Sequence, residues 1–202
     1  MNGKISLVRK LLFTVIFLIL ASVSSLADRK LSVAETILVA VQKQAAHQHK
    51  GIFLIFSAAW SGPCKRLDMF LAAPANREII DKYFVVARLN VAEQYGGDPK
   101  LNTPGAEKLF VKYGGPGNDV PFVALLNTRA ELIVNSNRPV GEDKVETIGY
   151  PDEPLQILWF TTMLKKAAPT MSESEAQAVS DWLKKSAIHH EKPEHHRMPR
   201  SS

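Results

Sequence analysis

The chain has 202 residues, a formal charge of +5 and a single cysteine. One cysteine excludes an internal disulfide framework, so packing must stabilise the fold, and the thiol is either buried or free to pair with another molecule. The length suits one domain with a single core, and no repeat or low-complexity tract divides the sequence.

The first residues have the pattern of a targeting signal. A basic start precedes an apolar core over residues 11–20 and small residues at positions 25–27. This pattern predicts a signal peptide over residues 1–27 and a periplasmic or secreted protein whose mature chain begins near Asp28. A retained membrane anchor is the alternative, but the apolar stretch is shorter than the ~20 residues that a spanning helix needs.

Removal of the signal peptide changes the charge of the protein. Residues 1–27 hold three basic and no acidic side chains, so the formal charge falls by three, from +5 to +2. We therefore expect no nucleic-acid partner, and no membrane association after cleavage. In an oxidising compartment, an accessible Cys64 would form an intermolecular disulfide.

The mature chain opens with a helix and a buried strand. Ser32 and Glu35 form a capping box ahead of apolar residues at helical spacing, which predicts a helix that ends near His47. Residues 52–56 form a short continuous apolar run after Gly51. Such a run is typical of a central strand that is covered on both faces.

A second helical region and a second strand follow. Ser61 is placed to cap a helix over residues 62–71, and Asn76 to cap a short helix through Lys82. Residues 84–89 form another apolar strand. Because helices separate the two strands, we expect them to be parallel through a right-handed crossover.

A third helix and the edge of the sheet come next. The Thr-Pro pair at 103–104 predicts a helix start, and the glycine-rich segment 114–117 predicts its end. Val120-Pro121 then precedes a strand over residues 122–126. A turn leads to residues 131–134, which we interpret as the second strand of an antiparallel edge hairpin.

The end of the chain predicts two helices. The first ends before Pro169, and we expect its inward face to hold five residues: Leu155, Leu158, Trp159, Thr162 and Met163. A capping box of Ser172 and Glu175 opens the last helix, and Trp159 and Trp182 are assigned to the core. Residues 189–202 are predicted to be a disordered, histidine-containing tail, and we predict no metal site and no cofactor.

Residues 53–65, whose sequence is FLIFSAAWSGPCK, resemble the active-site segment of the thioredoxin family with Ser61 in place of the first cysteine. The order of the predicted elements is similar to that family as well. The resemblance implies a three-layer α/β fold over residues 28–188, with a central mixed sheet of about four strands flanked by helices and an extra C-terminal helix. It also implies that Val120-Pro121 is the family's cis-proline bond.

The same resemblance implies a degenerate Ser-Gly-Pro-Cys site. Thiol exchange needs an attacking thiolate, and Ser61 stands where the family has that cysteine. Ile55 occupies the position of the family's buried acid, and Cys64 matches the resolving cysteine. We interpret two-cysteine turnover as lost.

A Ser-His hydrolase is an alternative to consider, because the chain contains histidines as well as Ser61. A nucleophilic serine needs a general base beside it. His47 and His49 precede the first strand, whereas Ser61 follows its far end, about 20 Å away at ~3.3 Å per residue. This separation argues against a Ser-His hydrolase.

Three hypotheses for function follow. In the first, a polypeptide or small thiol partner binds a groove lined by six residues, Trp60, Ser61, Gly62, Pro63, Val120 and Pro121, without two-cysteine exchange. In the second, the protein is a thiol-disulfide oxidoreductase that acts as a monothiol through Cys64. In the third, Ser61 is an engineered or strain-specific change in an otherwise active enzyme.

The sequence leaves two possible roles open for each of two side chains, Cys64 and Trp60. Cys64 is either a small buried hydrophobe or a slow reactive thiol, because a helix N-terminus lowers a thiol pKa and apolar burial raises it. Trp60 either contacts the partner or packs over the active-site turn.

Overall fold

The computed structural model describes residues 30–188, so the predicted signal peptide and tail lie outside the described residues. All elements below belong to one compact unit that begins at Ser32. The helices are α1 (Val33–Gln48), α2 (Gly62–Ala72), α3 (Pro74–Tyr83), α4 (Ala106–Lys112), α5 (Pro154–Ala167) and α6 (Glu173–Ile188). The strands are β1 (Gly51–Ser57), β2 (Phe84–Asn90), β3 (Phe122–Leu126), β4 (Leu132–Asn135), β5 (Asn137–Pro139) and β6 (Val145–Thr147).

The central sheet is mixed and has four strands in the order β2-β1-β3-β4. β1 pairs in parallel with β2 and antiparallel with β3, which in turn pairs antiparallel with β4. The predicted parallel pair and the edge hairpin are therefore confirmed. Because β1 and β2 are parallel, the residues that follow them meet at the same edge of the sheet.

Side chains of β1 alternate between two hydrophobic cores, one on each face of the sheet. Phe53 and Ile55 pack with residues of α2, α3, α5 and α6, whereas Ile52, Leu54 and Phe56 pack with residues of α1 and α4. All five side chains are fully buried. The fold is thus the predicted three-layer α/β arrangement with helices on both faces of the sheet.

The start of α3 differs from the prediction that Asn76 caps it. The N-cap is Ala73, and Pro74 occupies the first helical turn, where its fixed φ is compatible with the helix. Asn76 lies inside the helix, buried, and its Nδ2 donates to the carbonyl oxygen of Phe70 at 3.1 Å. Its side chain therefore satisfies a carbonyl in the last turn of α2.

The third helical region also differs. α4 begins at Ala106 rather than at the Thr-Pro pair, because Gly105 adopts a left-handed conformation just before it. The segment predicted to be a loop between β4 and α5 contains a two-stranded antiparallel ribbon, β5 with β6. Strands of three residues are too short to leave a periodic signal in the sequence.

The inward face of α5 was predicted only in part, because Met163 is buried but both predicted leucines are not. Leu155 and Leu158 are 58% and 61% exposed. The buried residues are Ile157, Phe160, Thr161, Met163 and Leu164. Trp159 and Trp182 are half-buried and pack against the core, as predicted. Among residues 30–188, no helix is long and apolar enough to cross a membrane.

The packing of Gly105 against the start of α1 generates a stability prediction. Gly105 has a φ of +87°, and a Cβ there would lie 2.3 Å from Ser32 Oγ. We expect Gly105→Ala to lower the free energy of unfolding by more than about 1 kcal/mol, measured by urea denaturation, because the left-handed conformation and the clash both disfavour a side chain.

Gly141→Ala is the matched control. A Cβ at Gly141 has no atom within 4 Å, so this substitution should change the free energy of unfolding by less than about 0.5 kcal/mol. Equal effects of the two substitutions would contradict the proposed packing.

Candidate functional site

The turn between β1 and α2 is organised by the hydroxyl of Ser61. Ser61 is the N-cap of α2, and its Oγ accepts a hydrogen bond from the backbone N–H of Cys64 at 3.3 Å. The same hydroxyl donates to the carbonyl oxygen of Val120 at 3.3 Å. Ser61 therefore joins the turn to the segment that enters β3, and only 1% of its surface is exposed.

The Val120-Pro121 peptide bond is cis. In the antiparallel register Phe122 faces Phe56, so the proline lies beside the end of β1, where the turn begins. Pro121 is buried and Val120 is half-buried. Gly149 approaches from the other side, since a Cβ there would lie 3.8 Å from the proline ring.

The six predicted groove residues differ in exposure. Trp60 is 37% exposed, and Gly62 and Pro63 are exposed as well. The indole N–H of Trp60 donates to the carbonyl oxygen of Ala92 at 2.9 Å. The ring of Trp60 is therefore anchored on the loop after β2 and still presents surface to solvent.

The thiol of Cys64 is buried, with 2% of the residue exposed. Burial raises the pKa of this thiol, while hydrogen bonds with the Ser61 side chain and the Ala58 backbone and the charge of Arg88 lower it by less. The balance leaves the thiolate disfavoured at neutral pH. A raised pKa and low exposure are those of a structural cysteine rather than a reactive one.

A cavity of about 140 Å³ reaches Cys64 from the side of β2. Its wall includes Lys65, Asp68 and Arg88. Arg88 donates to Ser57 Oγ at 3.0 Å and pairs with Asp68. Charged side chains thus border the cavity that Cys64 lines.

The described residues place Ile55 in the apolar core, fully buried. As the sequence predicts, this position of β1 holds no carboxylate. Glu93, after β2, is fully buried, and its Oε1 accepts a hydrogen bond from the backbone N–H of Ala59 at 2.9 Å. The parallel pairing of β1 and β2 was the available signal for this residue, because it places an acid after β2 next to the turn after β1.

No group of three or more metal-binding side chains occurs among residues 30–188. The histidine pairs of the predicted tail lie outside this range. The described site offers one buried thiol, one buried hydroxyl, the buried Glu93 carboxylate and the backbone around the cis-proline bond.

The burial of Cys64 generates a reactivity prediction. We expect iodoacetamide to modify Cys64 at pH 8 at least about tenfold more slowly in the native protein than in urea, because burial both covers the sulfur and lowers the thiolate fraction. Mass spectrometry of timed samples measures both rates. Equal rates would contradict the burial of the thiol.

The raised pKa of the Cys64 thiol determines how the free energy of unfolding changes at alkaline pH. As the pH rises above the ordinary cysteine pKa, the unfolded chain loses the proton first, so the contribution of Cys64 to stability is present below that pKa and declines above it. Cys64→Ala should therefore show a shallower alkaline loss of unfolding free energy than the unmodified chain.

Comparison with known proteins places this site in a family. A family model described as thioredoxin-like matches residues 36–128. That range runs from α1 through β3 and includes the Trp-Ser-Gly-Pro-Cys turn and the cis-proline bond. The comparison with curated proteins found no match.

Three solved structures are similar to the chain. A disulphide isomerase from Xylella fastidiosa Temecula1 is 22% identical over 79% of this chain and 95% of that chain, with a TM-score of 0.44. DsbH oxidoreductase is 13% identical over 71% and 85%, with a TM-score of 0.43. The oxidised DsbD C-terminal domain from Neisseria meningitidis is 18% identical over 66% and 98%, with a TM-score of 0.37. Residues 36–128 thus match the thioredoxin-like family, and the sheet topology and the turn beside the cis-proline agree with the fold of that family.

Proposed function

We propose that this chain is an exported thioredoxin-like protein that binds an extended polypeptide or a thiol partner in its groove and does not carry out two-cysteine exchange. The observation that carries the proposal is the Ser61 hydroxyl. It occupies the position of the attacking sulfur and is engaged in hydrogen bonds to both sides of the groove. A hydroxyl forms no mixed disulfide, so exchange lacks its first step.

The geometry around the cis-proline supports peptide binding. An extended peptide adds to a strand through backbone hydrogen bonds, and Val120 lies just ahead of β3 and is only partly buried. The Ser61 hydroxyl already donates to the Val120 carbonyl at 3.3 Å. This length is beyond the usual range for a hydroxyl donor, so a partner's backbone N–H is able to compete for the carbonyl.

Export is part of the proposal and rests on residues 1–27. Their basic start and apolar core are those of a signal peptide. A lone buried cysteine is compatible with an oxidising compartment, because a covered thiol is protected from unwanted pairing.

A monothiol oxidoreductase is the second candidate, favoured by the cavity that reaches Cys64. Arg88 borders that cavity and lowers the thiol pKa in part. A small disulfide entering there would exchange with the Cys64 thiolate and release one thiol. The low exposure of the sulfur weighs against this route.

The groove prediction uses fluorescein-labelled, carboxymethylated insulin B chain as an extended probe that has no free thiol. We expect the protein to bind the probe, and Trp60→Ala to weaken binding at least about tenfold, because exposed tryptophan side chains are frequent anchors in interfaces. Fluorescence anisotropy measures the affinity. Leu158→Ala, which truncates an exposed apolar side chain on α5, should leave it unchanged.

The same preparation separates the binding and enzymatic hypotheses. Insulin reduction with dithiothreitol should proceed at the rate of the blank. Turnover that Cys64→Ala abolishes would establish the monothiol enzyme instead. Rapid turnover by Ser61→Cys would show that one atom type separates this site from an active one.

The export prediction concerns the N-terminus. When the full chain is expressed in a bacterium, we expect the mature protein outside the cytoplasm to begin near Asp28, because small residues at positions 25–27 precede it. Intact mass measures the cleavage point. A membrane-bound protein that keeps residues 1–27 would contradict cleavage and favour the anchor.

A further inference from the structure

The buried carboxylate of Glu93 is a polar group that the proposed binding mode does not use. The residue is 0% exposed. Oε1 accepts a hydrogen bond from the Ala59 N–H at 2.9 Å, and Oε2 has no hydrogen-bond partner. A buried carboxylate with one unpartnered oxygen is costly, so an apolar side chain would serve better if packing were its only role.

The loop around Glu93 is shaped to hold this side chain. Glu93 opens a short 3-10 helix after β2, and its N–H donates to Asn102 Oδ1 at 3.1 Å. Gly97 N–H donates to the Glu93 carbonyl at 2.7 Å. A Cβ at Gly97 would lie 3.0 Å from Oε2, so a side chain at this position would crowd the carboxylate.

The same loop also supports the tryptophan. Ala92, whose φ of 60° lies in the left-handed region, accepts the indole hydrogen bond of Trp60. A Cβ at Gly96 would lie 2.9 Å from the Trp60 ring. The loop therefore holds the turn at two successive residues, at the Ala59 backbone through Glu93 and at the Trp60 side chain through Ala92.

We infer that Glu93 is a positioning residue that sets the orientation of the Ala58-Ala59 peptide, and thereby the course of the backbone that presents the exposed face of Trp60 to a bound polypeptide. This inference rests on the proposed groove function. Glu93 does not touch the partner; it acts through the Ala59 N–H, which points into the protein only while the carboxylate accepts it. Without that acceptor, the N–H loses its partner and the turn is free to rotate.

The test compares three variants of the full mature chain. Glu93→Leu keeps the approximate size and removes the acceptor. Glu93→Gln keeps an acceptor oxygen for Ala59 and places an amide where Oε2 has no partner. Asn76→Ala removes a different buried side-chain hydrogen bond, the one to Phe70, and controls for a general loss of stability.

Two readouts are measured: the NMR signals of the Ala59 amide and the Trp60 indole, and the affinity for carboxymethylated insulin B chain. We expect Glu93→Leu to shift both signals, speed Ala59 amide exchange about tenfold and weaken probe binding about tenfold, the equivalent of one lost hydrogen bond. Glu93→Gln should restore both readouts, and Asn76→Ala should change neither.

Unchanged Ala59 and Trp60 signals in folded Glu93→Leu, or a Glu93→Gln protein as impaired as Glu93→Leu, would overturn the inference. If Glu93→Leu does not fold, Gly97→Ala decides, because its Cβ displaces the carboxylate without deleting it and should shift the same two signals. If the unmodified chain does not bind the probe, the proposed function fails, and the NMR signals alone decide the role of Glu93.

Discussion

The central position of β1 is the constraint on which the site depends. This strand is hydrogen-bonded to β2 on one side and to β3 on the other, and its side chains are buried on both faces. It cannot shift without disrupting two ladders and two cores. The register of the sheet therefore places the turn after Ser57 beside the cis-proline before Phe122. The start of this turn is fixed because β1 is fixed.

Ser61 maintains the shape of the turn but cannot carry out the thiol chemistry of a cysteine at this position. Its hydroxyl caps α2 and contacts the Val120 carbonyl, so it contributes to the shape of the groove. It cannot form a disulfide, and the remaining sulfur is covered and has a raised pKa. Under the proposed function, a site of this kind keeps a surface for recognition without two-cysteine exchange.

The loop after β2 gives the groove a second support. The Ala92 carbonyl and the Glu93 carboxylate accept hydrogen bonds from the Trp60 indole and the Ala59 N–H. The Ser61 hydroxyl donates to the Val120 carbonyl. The turn is thus fastened at three consecutive residues to two different segments of the chain. Such fastening keeps the tryptophan oriented before a partner arrives, which lowers the entropy lost on binding.

Residues whose role depends on neighbours in sequence were predicted well. The capping box of Ser32 and Glu35 is present, and the buried run of residues 52–56 forms the central strand, because caps and continuous apolar runs are local patterns. The face of α5 was not predictable in this way. Apolar residues occur on all sides of α5 itself, so its sequence does not show which side faces inward. Only the packing of α5 against the sheet and α6 determines that Phe160 is buried and Leu158 is exposed.

The sequence by itself determined the order of the helices and of the four central strands, the turn chemistry at Ser61 and the absence of a second thiol, since each depends on residue types and short spacings. Only the tertiary structure decided that Cys64 is covered, that Asn76 bonds to α2 and that Glu93 lies beneath the turn. These properties depend on segments far apart in the chain that pairing and packing bring together. A sequence pattern does not show which distant segments will come into contact or which side chains that contact will bury.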